Sequence, residues 1–250
     1  MKAFERKKKL LNELYFNKVV YVNELAKEFK VSEETIRRDL EKLEKEGIVE
    51  RNYGGARLLK TEDLPYLVRN THNKESKLNI AKKIDTFICN DISLFADSSS
   101  TVVETLKRFA VSDKKLHVIT NAVNALYDLN QSSLEINSTG GKLLKQSYAF
   151  IGSQTIESIN KFNPDFAIIS CKALNRDGII TDSNEEEAYI KQIMMNKAKK
   201  TILALDSSKL DKTSLITFGS LSNIDYIVSD NDFDAKFIEL LQKKSVKIIN

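Results

Sequence analysis

The sequence predicts an α/β protein in two parts. A small helical module closed by a β-hairpin occupies residues 1–58, and a larger domain on a mainly parallel sheet occupies residues 75–250. Three observations predict this. The first 58 residues pass from a helical apolar period to a short paired-strand pattern turned at Asn52-Tyr53-Gly54-Gly55. From residue 75 onward, near-continuous apolar runs alternate with helical patterns, as in strands covered on both faces by crossover helices. Between the two, residues 59–74 hold one of the two prolines and no clean period, which reads as a linker.

Composition narrows the class. With 42% hydrophobic and 30% charged residues, the 250-residue chain is an ordinary globular protein. No apolar run has the length of a membrane span. The basic start, MKAFERKKKLLNEL, lacks the apolar core and cleavage site of a signal peptide, so a cytoplasmic protein without a membrane partner is expected. Cys89 and Cys171 have no CxxC spacing, and His72 and His117 stand apart, so no metal, disulfide framework or cofactor is expected. Residues 1–60 hold 15 Lys+Arg against 11 Asp+Glu, whereas the remainder holds 24 of each. The excess positive charge therefore lies wholly in the first module and points to nucleic acid at that end.

In the first module, a helix over about residues 3–16 places Phe4, Leu10, Leu11 and Leu14 on one face. An extended run follows at 19–22. Asn23 is placed to cap a second helix with Leu25, Ala26 and Phe29 inward. Ser32 caps a third helix, with Glu33 and Glu34 in its first turn where the dipole favours negative charge. Ile36, Leu40 and Leu43 form its buried stripe, Arg37, Arg38 and Lys42 fall outside that stripe, and Gly47 ends it. Residues 48–51 and 56–59 make the hairpin. The order describes a winged helix-turn-helix, whose third helix enters the major groove of double-stranded DNA. Arginine pairs bidentately with guanine edges or phosphate. The candidate DNA contacts are Ser32, Glu34, Thr35, Arg37, Arg38 and Lys42 on the helix, and Arg51, Tyr53, Gly54, Gly55 and Arg57 on the wing.

In the second part, helices are expected at 75–88, 101–110, 121–129, about 148–160, 184–199 and 232–242. Strands are expected to end at Asp97, Thr120, Gly140-Gly141, Cys171 and Asp206, with two more at 225–229 and the C-terminus. Ligands of such sheets bind beyond the carboxyl ends of the strands. That rule selects Asp97, Ser98, Ser99, Ser100 and Thr101; Thr120 and Asn121; Gly140, Gly141 and Lys142; Cys171 and Lys172; and Asp206 and Lys209. The first group offers hydroxyls, backbone N–H groups and a helix start to one anion, which suits a phosphate, although helix capping alone needs only one serine. Glu187 and Lys191, four residues apart, read by themselves as a surface ion pair.

The segment VSEETIRRDLEKLEKEGIVERNYGGA resembles the signature of the DeoR family of bacterial transcriptional regulators, V-S-x-x-T-I-R-R-D-L-x-x-L-x-x-x-G followed by a short strand and H-G-G-A. It matches at Val31, Ser32, Thr35 to Leu40, Leu43, Gly47 and Gly54 to Ala56, and departs at Tyr53, where histidine is usual. Further on, the 97–101 loop is similar to the family's D-S-G-T-T, STGGK to its G-G motif, the segment with Glu187 and Lys191 to its E-A-x-K-x-x-M, and DSSKL to its D-x-S-K-F. Ser99 replaces a glycine, Leu144 stands where arginine is common, and Cys171 where glycine is usual. The resemblance implies a sensor domain related to ribose-5-phosphate isomerase that binds a phosphorylated sugar, in a self-associating regulator, dimer or tetramer, that represses sugar-metabolism genes. Two other readings are an isomerase-like enzyme with an appended DNA-binding domain, and a constitutive DNA binder without effector. Against the enzyme, the segment CKALNRDG lacks the acid pair of the isomerase loop, so no catalytic residue is expected.

Overall fold

The computed structural model describes residues 1–59 and 65–250. The chain divides into two compact units, Met1–His72 and Asn73–Asn250.

The first unit contains helix α1 (Ala3–Asn17), strand β1 (Val19–Tyr21), helices α2 (Val22–Phe29) and α3 (Glu33–Lys45), and strands β2 (Val49–Asn52) and β3 (Gly55–Leu58). The strands form an antiparallel sheet in the order β1-β3-β2. Leu10, Leu11 and Leu14 are buried, as are Leu25, Phe29, Ile36, Leu40 and Leu43, while Phe4, expected on the same face as the α1 leucines, is exposed in the first turn. Helix α3 stops at Gly47, which adopts a left-handed φ of 70°. Asn23 does not cap α2. The helix begins two residues earlier than that cap implies, at Val22 after Tyr21; the Val22 N–H donates to Gly54 O at 2.9 Å, and Asn23 Oδ1 accepts from the Glu24 N–H at 2.9 Å.

The expected linker is in part a helix. Residues 60–64 lie outside the described residues, but Pro65 starts helix α4 (Tyr66–Thr71), with Tyr66, Leu67 and Val68 buried. Thr71 Oγ1 donates to Asn12 Oδ1 of α1 and His72 Nε2 lies 2.9 Å from the Tyr15 hydroxyl. Six residues are too few for an apolar period to show in the sequence.

The second unit begins with helix α5 (Lys74–Phe87), β4 (Ile92–Ala96), α6 (Ser100–Val111), β5 (Leu116–Thr120), α7 (Val123–Asp128) and β6 (Glu135–Ser138). It continues with the hairpin of β7 (Lys142–Leu144) and β8 (Ala149–Ile151), then α8 (Ser153–Asn160), β9 (Phe166–Ile169), β10 (Ala173–Leu174) and β11 (Ile179–Asp182). Helix α9 (Glu185–Lys197), β12 (Lys200–Ala204), β13 (Ile216–Ser220), β14 (Tyr226–Val228), α10 (Ala235–Lys243) and β15 (Lys247–Ile248) complete it. The main sheet runs β15-β14-β12-β9-β4-β5-β6 and every neighbouring pair is parallel. Phe95, Ile119, Ala167, Ile169, Leu203 and Ile227 of the sheet pack with Ile159, Met194 and Phe237 of the helices.

The strands that sequence reading missed lie outside this sheet. Residues 149–151, expected in a helix, instead pair with 142–144, and Gly152 with φ 89° separates them from α8. β10, β11 and β13 form a small antiparallel sheet. The main chain winds from β4 to β6 on one side, then returns to β9 and winds outward on the other. The reversal falls between β4 and β9, where open α/β sheets form their ligand crevice.

Candidate nucleic-acid interface and strand-end site

On α3, Ser32 and Thr35 are held by capping: Ser32 Oγ accepts from the Thr35 N–H at 3.3 Å and lies 2.9 Å from Thr35 Oγ1. The basic groups are exposed and paired with acids. Arg37 reaches Glu33 at 2.6 Å, Arg38 reaches Glu34 at 3.1 Å, and on the wing Arg57 reaches Glu50 at 2.5 Å. Arg51 lies 3.9 Å from Glu44. Such exposed pairs contribute about 0–1 kcal/mol, so a phosphate can replace the acid at little cost. Lys42 is exposed on the same helix. Asp39, beside the two arginines, turns the other way and forms a mostly covered ion pair with Arg6 of α1. Arg6 gave no signal in the sequence, since the pair joins residues 33 apart.

At the wing tip Tyr53 is fully exposed and Gly54 has φ 85°. Gly55, a candidate DNA contact, also has a task within the fold. It is buried, and a Cβ there would lie 2.1 Å from Val20 O, so its lack of side chain serves the β1-β3 pairing.

In the second unit, the carboxyl ends of β4, β9 and β12 bring most of the expected residues together. Asp97 is buried, and accepts from Ser99 N at 2.9 Å and Ser170 N at 3.0 Å. Ser99 Oγ caps α6 through the Val102 N–H at 3.4 Å, and the first turn of that helix starts at this end. Ser98 donates to Glu187 at 3.4 Å, and Glu187 also accepts from Ser147 at 2.7 Å. Ser100 and Thr101 are buried in the same turn.

Glu187 and Lys191 are therefore not a surface pair. Both are buried, and Lys191 forms an ion pair with Asp182 and lies 3.7 Å from Asp97. Burial alone would lower the Lys191 pKa, but Asp182, then Asp97 and Glu187, outweigh it and hold the ammonium above its usual range. Lys209 donates to Ser170 Oγ at 3.0 Å and lies 3.8 Å from Asp206. Burial pushes the Asp206 carboxyl up, yet Lys209, hydrogen bonds from Ser208 and Asn73, and the charge of Lys77 hold it below its ordinary value.

Other expected ligand groups are engaged within the fold or stand apart from these strand ends. The Thr120 hydroxyl donates to Ala96 O at 2.7 Å and accepts from Ala122 N at 3.1 Å. A Cβ on Gly141 would meet Thr155 Oγ1 at 2.1 Å, and Thr155 donates to Gly140 O at 2.7 Å, so this pair seats the loop on α8. Lys142 is exposed, 3.9 Å from Glu186. Cys171 packs in the hydrophobic core, where burial pushes its thiol up to about 12. Lys172 is partly covered, and its N–H donates to Thr181 O at 3.0 Å.

Among the expected site residues that are described, two buried groups have no hydrogen-bond partner: the Thr101 hydroxyl, and Asn121 Oδ1, whose amide nitrogen donates to Phe150 O at 3.0 Å. Buried orphans of this kind call for a water or a ligand. Sequence reading missed Asn73, Lys77, Ser147, Ser170 and Asp182. Only Lys77 had a visible signal, a lysine on the stripe of Ile80, Ala81 and Ile84 where charge is rare. Among the described residues, no group of three His, Cys, Asp or Glu could hold a metal ion, and no helix is long and apolar enough to cross a membrane.

Residues 6–62 match the model of the DeoR-like helix-turn-helix domain and residues 72–231 that of the DeoR C terminal sensor domain. The L-fucose operon activator of Haemophilus influenzae is 36% identical over 214 residues, 84% of each chain. The glycerol-3-phosphate regulon repressor of the same organism is 29% identical over 251 residues, 100% of this chain and 97% of the relative. Both relatives are regulators rather than enzymes. A partial likeness links the chain to the ribose 5-phosphate isomerase A structure from Methanocaldococcus jannaschii, at TM-score 0.41 and 13% identity over 55% of each chain. Matched in both of its units, and along nearly its whole length by its relatives, the chain belongs to the DeoR family of DNA-binding transcription regulators.

Proposed function

We propose that the chain is a cytoplasmic repressor of sugar-metabolism genes whose effector is a phosphorylated sugar held at the β4/β9 crevice. The observation that carries this is the Asp97–Thr101 loop. It sets the start of α6 at the switch point, with serine and threonine hydroxyls and the Lys209 ammonium at neighbouring strand ends. The orphan Thr101 hydroxyl and Asn121 carbonyl suit the hydroxyls of a sugar. A relative named for glycerol 3-phosphate supports a phosphorylated polyol, while one named an activator leaves the sign to experiment. On the DNA side, the exposed α3 and wing arginines read an operator, and self-association as a dimer or tetramer matches paired half-sites about 34–36 Å apart or at multiples.

Thermal shift against a panel of sugar phosphates tests the effector. A bound ligand raises the melting temperature by mass action, and one member of the panel is expected to do so. Ser100→Asp places a carboxylate where the phosphate sits, and is expected to abolish that shift while DNA binding persists. A flat response of the wild-type chain across the panel would contradict the effector reading and favour a regulator without a sugar-phosphate ligand.

A further inference from the structure

Two consecutive residues are each fastened by a side chain, in different units. His72, the last residue of the DNA-binding unit, lies 2.9 Å from the Tyr15 hydroxyl of α1. Asn73, the first residue of the sensor unit, donates through Nδ2 to Asp206 Oδ1 at 3.1 Å and Ser208 Oγ at 3.3 Å. Asn73 has φ 50° and ψ 41°, a left-handed conformation that asparagine tolerates better than most residues. Its carbonyl accepts from Lys77 N at 3.1 Å, so α5 starts from it directly.

Asp206 joins this junction to the strand ends. It is buried, takes the Ser208 hydroxyl as well as the Asn73 amide, and faces Lys209 at 3.8 Å. Lys209 donates onward to Ser170, whose N–H donates to Asp97 at the crevice. An unbroken set of polar contacts thus runs from Asp97 to the residue that follows the DNA-binding unit.

We propose that Asn73 is the positioning residue through which the strand-end crevice controls the DNA-binding unit. The proposal rests on the reading of that crevice as the effector site. An anion beside Lys209 competes with Asp206 for the ammonium. Asp206 then re-pairs with its remaining partners, and the backbone at 72–73, pinned on one side by Tyr15, changes its setting. A network of this kind transmits only if its members have two arrangements, which a mutant cycle detects.

The test uses the full chain and a DNA site that the wild-type protein selects from a random-sequence library. Affinities are compared for wild type, Lys209→Ala, Asn73→Gly and the double variant. Glycine keeps the left-handed backbone, so the fold survives the loss of the amide. Lys209→Ala is expected to change DNA affinity by about two- to thirtyfold in the presence of Asn73, and to have no effect in the Asn73→Gly background. An equal Lys209→Ala effect in both backgrounds, or no effect in either, overturns the proposal. If the wild-type chain selects no DNA, both the regulator and the junction proposal fall. A flat sugar-phosphate panel with an intact cycle removes only the ligand reading.

Discussion

Arg38 and Lys42 lie on the same exposed face of α3 and differ in what they can recognise. A planar guanidinium such as that of Arg38 can pair bidentately with a guanine edge, whereas an ammonium such as that of Lys42 can act only as a point charge toward phosphate. Arg38→Ala is expected to cost about 1–3 kcal/mol on the specific site and to relax preference at one base pair. Lys42→Ala is expected to weaken binding to every sequence alike and to reduce the salt slope by about one. Titrations on specific and scrambled duplexes at several salt concentrations separate the two outcomes. Equal losses on both duplexes for Arg38→Ala would remove it from base readout. At this scale the sequence foretold the exposure of these residues from the angle they make with the Ile36-Leu40-Leu43 stripe. It did not foretell their glutamate partners, nor that Asp39 turns inward to Arg6, because the latter depends on how α1 packs.

Elements long enough to show a period were legible: α1 and α3, the β4, β5, β9 and β12 strands, and the helices between them. Short pieces were not. α4, β7, β8, β10 and β11 have two to six residues, too few for alternation to rise above chance. Site residues followed the same division. Strand ends can be read from topology, so the 97–101 loop and Asp206 were anticipated. The burial of Glu187 and Lys191 was not, because it arises from Ser98, Ser147 and Asp182 arriving from distant segments. One joint between elements has a consequence in pH. At the amino ends of β4 and β9, the Asp165 carboxylate accepts from Lys199 at 2.8 Å, Ser93 N at 2.9 Å and Ser93 Oγ at 2.8 Å. The Lys199 hydrogen bond and those of Ser93 hold its carboxyl well below the ordinary value. A depressed folded pKa means that its stabilisation is complete above the unfolded value, near pH 4, and is lost as the pH falls through the acid range. Asp165→Asn is therefore expected to lower the melting temperature at pH 7 and to flatten the acid limb of the curve. Parallel curves for the two proteins between pH 7 and pH 3 would contradict this.

At the scale of the whole molecule, the first unit matches a helix-turn-helix domain and the second a sensor domain, so DNA binding and effector sensing fall to different units. His72 closes the first unit and Asn73 opens the second, and each is fastened by a side chain within its own unit. Regulation then requires a coupling free energy of about 1–3 kcal/mol between the two sites, and the coupling is reciprocal: an effector that weakens DNA binding is itself bound more weakly by the DNA complex. The most direct measurement is fluorescence anisotropy of a labelled fragment of the protein's own upstream DNA, titrated with full-length protein in the presence and absence of each sugar phosphate. The account predicts tight, salt-dependent binding that one sugar phosphate weakens by about five- to 150-fold. Tight binding that no sugar phosphate alters would contradict it.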